Sequence, residues 1–171
     1  GVKVQPERPF PDTGDKGMLI CTAEILPIAH PSAETGPPQP PVVELARVTD
    51  RGIRESGMLD MKQLVLEKDK SVIGVFCDNA VTDHDGNLFD ACSYASTAAI
   101  NACKIPKYEM QDEKPVKIEG EFTEPPITTL PVSVTMAKIG EFIVVDPTIE
   151  EWGIMDARIT ITSNSDGNVV A

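Results

Sequence analysis

A chain of 171 residues is long enough to bury one substantial core. Its 41% hydrophobic and 25% charged content is ordinary for a globular protein, and no apolar run approaches the roughly 20 residues that span a bilayer, so no membrane partner is expected. With 15 basic against 27 acidic residues the formal charge is −12, so the overall field repels nucleic acid; an RNA contact needs a local arginine cluster or a basic partner.

Gly1 to Gln5 already reads as strand, which suggests that the chain starts inside a domain. Met18 to Ile28 is β-like, and residues 31–41 form a Pro/Gly-rich loop that excludes regular structure. Pro41 then opens a helix to about Ser56, with Val42, Leu45, Val48, Thr49 and Ile53 on its apolar side and Gly57 as its stop. A short helix is expected over Leu59 to Leu66, and Ser71 to Val81 reads as a buried strand. Asp83 to Asn87 is a turn leading into a second helix, Leu88 to Cys103, whose Ala91, Ala95, Ala98, Ala99 and Ala102 suggest close packing on a sheet. Charge and proline over 108–126 predict an exposed loop. Three strands close the chain, Thr129 to Lys138, Glu141 to Asp146 and Ala157 to Ser163, and a further one begins at Asn168. The pattern is α+β with a mixed sheet packed against helices, read as a single unit over 1–171.

Cys21, Cys77, Cys92 and Cys103 contain no C-x-x-C, and His30 and His84 lie apart from them, so buried free thiols are expected, with no metal and no cofactor. Arg47, Arg51 and Arg54 fall within roughly 40° of one another on a helix, a stripe opposite the apolar face. Arginine's planar fork suits phosphate, but Glu44, Asp50 and Glu55 on the same helix offer intrahelical pairing instead. The start of the Leu88 helix is a possible anion site, although Asp85 and Asp90 flank it and capping by Asp85 or Asn87 competes. Asp146, Glu150, Glu151 and Asp156 are candidates for acid–base work or for turn positions. The string Asp83 to Gly86 is no calcium loop, because Gly86 comes at the fourth place and Tyr94 stands where the twelfth-position Glu belongs.

Several strings carry a resemblance. Pro9-Phe10-Pro11-Asp12-Thr13, Ala23-Glu24-Ile25-Leu26-Pro27, Glu44-Leu45-Ala46-Arg47-Val48, Asp50-Arg51-Gly52-Ile53-Arg54-Glu55-Ser56, Asp85-Gly86-Asn87-Leu88-Phe89-Asp90-Ala91 and Leu130-Pro131-Val132-Ser133-Val134-Thr135 occur in this order. Together they resemble the non-catalytic RNase-PH-like subunit of the archaeal exosome, within the RNase PH family. The resemblance implies an RNase PH domain, similar to ribosomal protein S5 domain 2, here incomplete because the first strands and a C-terminal helix are lacking. Active members of that family cleave RNA from its 3′ end with phosphate as nucleophile, using arginines, a Gly-Ser/Thr-Arg run and two acidic residues six apart. In this sequence Pro41 stands where a phosphate arginine is expected, and Cys92-Ser93-Tyr94 replaces the run, keeping Ser93 and losing the arginine. Glu150 and Asp156 represent the acidic pair.

The resemblance therefore implies a pseudoenzyme with no catalytic residues of its own. It would sit in the cytoplasm in an alternating hexameric ring with an active RNase-PH-like subunit, contacted by RNA-binding cap subunits. In that setting Arg47 and Arg51, and less closely Arg54, match the arginines that hold RNA. Two alternatives stay open: a divergent active phosphorolytic exoribonuclease, and a purely structural ring component.

Overall fold

The computed structural model describes residues 1–112 and 114–171. Its first sheet is built on β4 (Ser71–Val81), whose run of Val72, Ile73, Val75 and Cys77 is buried. Such a run needs neighbours on both sides and cover on its faces. β1 (Val2–Glu7) pairs with β4 antiparallel on one side and β2 (Met18–Ile25) pairs parallel on the other. A parallel pair requires a crossover. It is supplied by α1 (Pro40–Ser56), a 3₁₀ turn (Met61–Leu64) and β3 (Val65–Glu67), which also pairs with β4. α1 ends at Gly57, whose φ of +68 closes the helix through its N–H to the Arg54 carbonyl.

α2 (Leu88–Ala102) follows β4 and packs on it, and its other neighbours are α1 and a second sheet. That sheet is antiparallel, in the order β8 (Phe142–Val145), β7 (Val132–Ile139), β9 (Ala157–Ser163). The main core joins Leu19, Ile53, Met58, Val75, Cys77 and Ile100 between the first sheet and the helices. Ile100 is fully buried. Ile100→Ala is expected to cost about 2–5 kcal/mol, seen as a lower urea midpoint with an unchanged slope.

Four expectations change. Residues 108–126 hold no open loop: β5 (Ile105–Gln111) and β6 (Lys114–Thr123) form a separate antiparallel hairpin. Each strand of an isolated hairpin has one unpaired side, so Pro106 and Pro115 fit there without costing a ladder bond. The surface exposure expected of this stretch does hold for most of β6, and Glu113 lies outside the described residues. The Leu59 to Leu66 helix shrinks to the 3₁₀ turn, because Val65 and Leu66 are taken by β4 as a strand. Between β8 and β9 a short helix, α3 (Ile149–Ile154), replaces the turn, nucleated by a capping box of Thr148 and Glu151.

The alanines of α2 also face differently from the expectation. Ala91, Ala95, Ala98 and Ala102 are exposed, while Phe89, Cys92, Ser93, Ser96 and Ile100 are buried. The buried face joins Phe89, Cys92 and Ile100 in the apolar cores with Asp90 and Ser93 bonded to the second sheet, so small side chains do not set the helix phase. Residues 31–39 form no regular element and α1 begins at Pro40, with the two prolines tolerated in a first turn that has no N–H partners to lose.

Candidate functional site

The arginine stripe forms as the helical spacing requires, and Arg47, Arg51 and Arg54 are all exposed. Their partners divide them. Arg54 grips Asp50 with two bonds, Nε to Oδ2 at 2.9 Å and Nη2 to Oδ1 at 2.8 Å, and its Nη2 also donates to the Leu19 carbonyl at 2.8 Å. The Asp50 carboxylate holds the Arg54 guanidinium charged, above even its ordinary value. Arg47 and Arg51 make no ion pair or hydrogen bond among the described residues. Glu44, the intrahelical alternative, pairs with Arg158 on β9 instead. Two free guanidinium groups one turn apart remain on the rim of a groove of about 900 Å³ between α1 and β2.

The start of α2 is organised by carboxylates. Asn87, in the left-handed region at φ +35, caps the helix, its Oδ1 accepting from the Asp90 N–H at 3.4 Å. Asp90 is buried, and its carboxylate accepts from Asn87 Nδ2 at 2.8 Å, Thr135 N at 2.9 Å and Thr135 Oγ1 at 2.7 Å. Asn87 Nδ2 also donates to Asp146 at 2.7 Å. One turn on, Ser93 Oγ lies 2.8 Å from Ser133 Oγ, which lies 2.8 Å from Thr162 Oγ1. Tyr94 donates its hydroxyl to the Ser133 carbonyl at 2.9 Å. Burial, then the Asp90 and Asp146 charges, push the Tyr94 phenol above its ordinary value.

Gly86 brings the last piece in. Its φ of +115 suits glycine, and a Cβ there would stand 2.4 Å from the Pro147 carbonyl. This close approach forms an isolated bridge to Thr148, and Ile149 N donates to the Asp85 carbonyl at 3.1 Å, so α3 starts against the turn before α2. Glu150 is exposed on the first turn of α3. Asp156 is engaged elsewhere: its Oδ2 accepts from Gly140 N at 2.7 Å and its N–H donates to Lys138 O at 2.8 Å, closing the β7–β8 turn. Among the described residues no group of three or more His, Cys, Asp or Glu is placed to hold a metal ion, and all four cysteines are free thiols. No described helix is long and apolar enough to cross a membrane.

Residues 1–106 match the family model described as 3′ exoribonuclease family, domain 1, and residues 129–171 match domain 2 of the same family. The chain belongs to the 3′ exoribonuclease family. It is 46% identical to the exosome complex component Rrp42 of Methanopyrus kandleri, aligning over 100% of this chain and 64% of that protein. The Thermococcus gammatolerans Rrp42 is likewise 46% identical over 100% of this chain, covering 63% of its own length. Among solved structures, the Archaeoglobus fulgidus exosome with RNA bound to the active site superposes with a TM-score of 0.90 at 46% identity, over 100% of this chain and 65% of that one. An archaeal exosome core superposes with a TM-score of 0.83 at 43% identity, with 62% of its chain covered. This exoribonuclease-family chain thus spans slightly under two thirds of the length of those relatives.

Within the 3′ exoribonuclease family chain, Pro41 lies exposed in the first turn of α1, and Ser93 and Tyr94 lie on α2 with their hydroxyls committed to β7. Glu150 lies in the first turn of α3 and Asp156 just beyond its end, and the two share no hydrogen bond among the described residues. One feature at this end of the fold escapes a sequence reading. Arg158 stacks with its guanidinium carbon 4.0 Å from the Phe89 ring centre and 5.0 Å from that of Trp152, and the two rings lie 5.8 Å apart at 15°. Glu44 and the two rings occupy the Arg158 guanidinium. The sequence offers no signal for it, because the four residues come from four elements.

Proposed function

We propose that the chain is a non-catalytic, RNA-holding part of an exosome-type ring, in which an active RNase-PH-like partner carries out 3′-to-5′ phosphorolysis. The observation that carries this reading is the free pair Arg47 and Arg51, exposed one turn apart on a chain whose net charge is −12. Guanidinium groups without carboxylate partners bind backbone phosphates without reading bases, which gives sequence-tolerant and salt-sensitive retention. Arg54, tied to Asp50 and Leu19, serves the fold rather than the RNA. Kinship with the Rrp42 proteins and with the RNA-bound exosome supports the same assignment, and the hexameric ring with RNA-binding caps is what the family resemblance adds to it. The bonds from Asp90 and Ser93 to β7 support treating residues 1–171 as one unit.

Catalytic silence follows from electrostatics. Inorganic phosphate carries about two negative charges near neutral pH and needs cationic donors. At the start of α2 it would meet Asp85, Asp90 and Asp146, with Pro41 and Tyr94 where the resemblance expects arginines. Ser93 has its hydroxyl turned into the Ser133–Thr162 chain. Two absent charge-assisted bonds at about 1.5–3 kcal/mol each remove on the order of 3–6 kcal/mol of phosphate binding. The purified protein incubated with RNA and inorganic phosphate, without a partner, is expected to release no nucleoside diphosphates. Their release would support the divergent active enzyme instead, with Glu150 and Asp156 as its acidic pair.

A further inference from the structure

We propose that the free edge of β2, with the groove beside it, is a docking site for an extended, acid-bearing segment of a partner protein, which adds to the sheet as a further strand. Among the described residues β2 pairs with β4 alone, so its other edge has no strand neighbour there. The Leu19 carbonyl points out from that edge, because it is the one that accepts from Arg54. Side and direction alternate along a strand, so the backbone groups of Cys21 and Ala23 point the same way. Thr22, the residue between them, turns its carbonyl toward β4 and accepts there from Asn79 Nδ2 at 3.1 Å. Outside the sheet, no backbone bond to Cys21 or Ala23 forms among the described residues.

The groove of about 900 Å³ runs along this edge rather than over one face, since residues of both faces of β2, from Met18 to Ala23, line it. Across from them stand Val42, Val43 and Ala46 of α1, an apolar wall for alternate side chains of an added strand. An alternating row of N–H and C=O groups is matched by a peptide backbone, whereas an RNA backbone has no such row of donors. The charge selects the kind of peptide. Lys16, Arg47, Arg51 and Arg54 line the groove against one carboxylate, Asp50, which Arg54 already neutralises. On a chain of net charge −12 this is a cationic island, and it favours a strand carrying Asp or Glu. A second copy pairing through its own β2 would bring two such islands together and is disfavoured.

The test needs no knowledge of the partner and uses Lys16 and the edge rather than the arginines assigned to RNA. The probe is a fluorescein-labelled nonapeptide alternating Val and Glu, with a Val/Lys peptide and a short oligoadenylate of equal length, titrated by anisotropy into the whole protein. Saturable binding of the acidic peptide is expected. N-methylation of one alternate set of its amides should weaken it about tenfold, by removal of backbone bonds, while methylation of the other set changes little. Ala23→Pro and Lys16→Glu should each weaken the peptide, and oligoadenylate binding should survive Ala23→Pro. Equal effects of the two methylation patterns, equal binding of the Val/Lys peptide, or binding of oligoadenylate only would each overturn the proposal. Because the methylation arm alters the peptide and not the protein, it holds even if Ala23→Pro fails to fold. Loss of RNA binding with peptide binding retained counts against the RNA reading alone.

Discussion

Reversing both Arg47 and Arg51 to Glu is expected to lower RNA retention by the assembled complex by about two orders of magnitude and to leave assembly intact. Neither arginine has an intramolecular partner among the described residues, so the change breaks no ion pair that the fold uses. Their entire free-energy contribution is then available to a ligand. Each phosphate neutralised releases condensed counterions, so losing two contacts should flatten the plot of log affinity against log salt by about 1.4–1.8. The slope separates direct phosphate contact from a general loss of fit, which would lower affinity at every salt concentration alike. Arg54→Gln provides the contrast. It removes both bonds to Asp50 and the bond to the Leu19 carbonyl, so it should cost about 1–2 kcal/mol of stability with little change in the salt slope. An unchanged RNA affinity in the double variant would rule out these arginines as the RNA contact.

The largest effect on stability is expected at Asp90. Its buried carboxylate accepts from the Thr135 N–H, the Thr135 hydroxyl and one Asn87 amide hydrogen, all at 2.7–2.9 Å, and Thr135 Oγ1 also lies 2.9 Å from Thr160 Oγ1. Asp90→Ala takes the buried acceptor from the Thr135 N–H and from one Asn87 amide hydrogen, and removing one side of such a charge-assisted network costs about 3–5 kcal/mol. For a chain of this size that corresponds to a fall of roughly 10 °C in the melting temperature. The network joins α2 to β7, so the loss should appear first as faster amide exchange in β7 and β9. Ser133→Ala offers a graded comparison, since it breaks the neutral Ser93–Ser133–Thr162 chain and should cost less. A melting point within 2 °C of the parent, an approximate threshold on the same scale, would show that the network contributes little.

These two expectations mark how far local sequence reaches. The α1 apolar face, its Gly57 stop, the β4 run and the arginine spacing were legible because each depends on residues within one or two turns of each other. The mixed sheet and its helices likewise follow from the order of strand and helix patterns. The β5–β6 hairpin was hidden by Pro106 and Pro115, which argue against a strand only where both edges are paired. The alanine face of α2 misled for a related reason. Small side chains permit close packing but do not require it, and the phase was decided by Phe89, Cys92 and Ile100 entering the cores together with Asp90, Ser93 and Ser96 finding partners on β4 and β7.

What the sequence alone determined is the order of β2, α1, β4, α2 and the last three strands, the family pattern, and the absence of arginine at Pro41 and Tyr94, since identity at a position is independent of conformation. What only the tertiary structure decided is which charges are free. Asp50 takes Arg54, Glu44 turns to Arg158 on β9, and Arg47 and Arg51 are left to solvent. An ion pair is chosen by distance in space, and Glu44 and Arg158 meet only because α1 and β9 pack together. The unpaired edge of β2 belongs to the same class, because whether a strand has a neighbour is a property of the sheet and not of the strand.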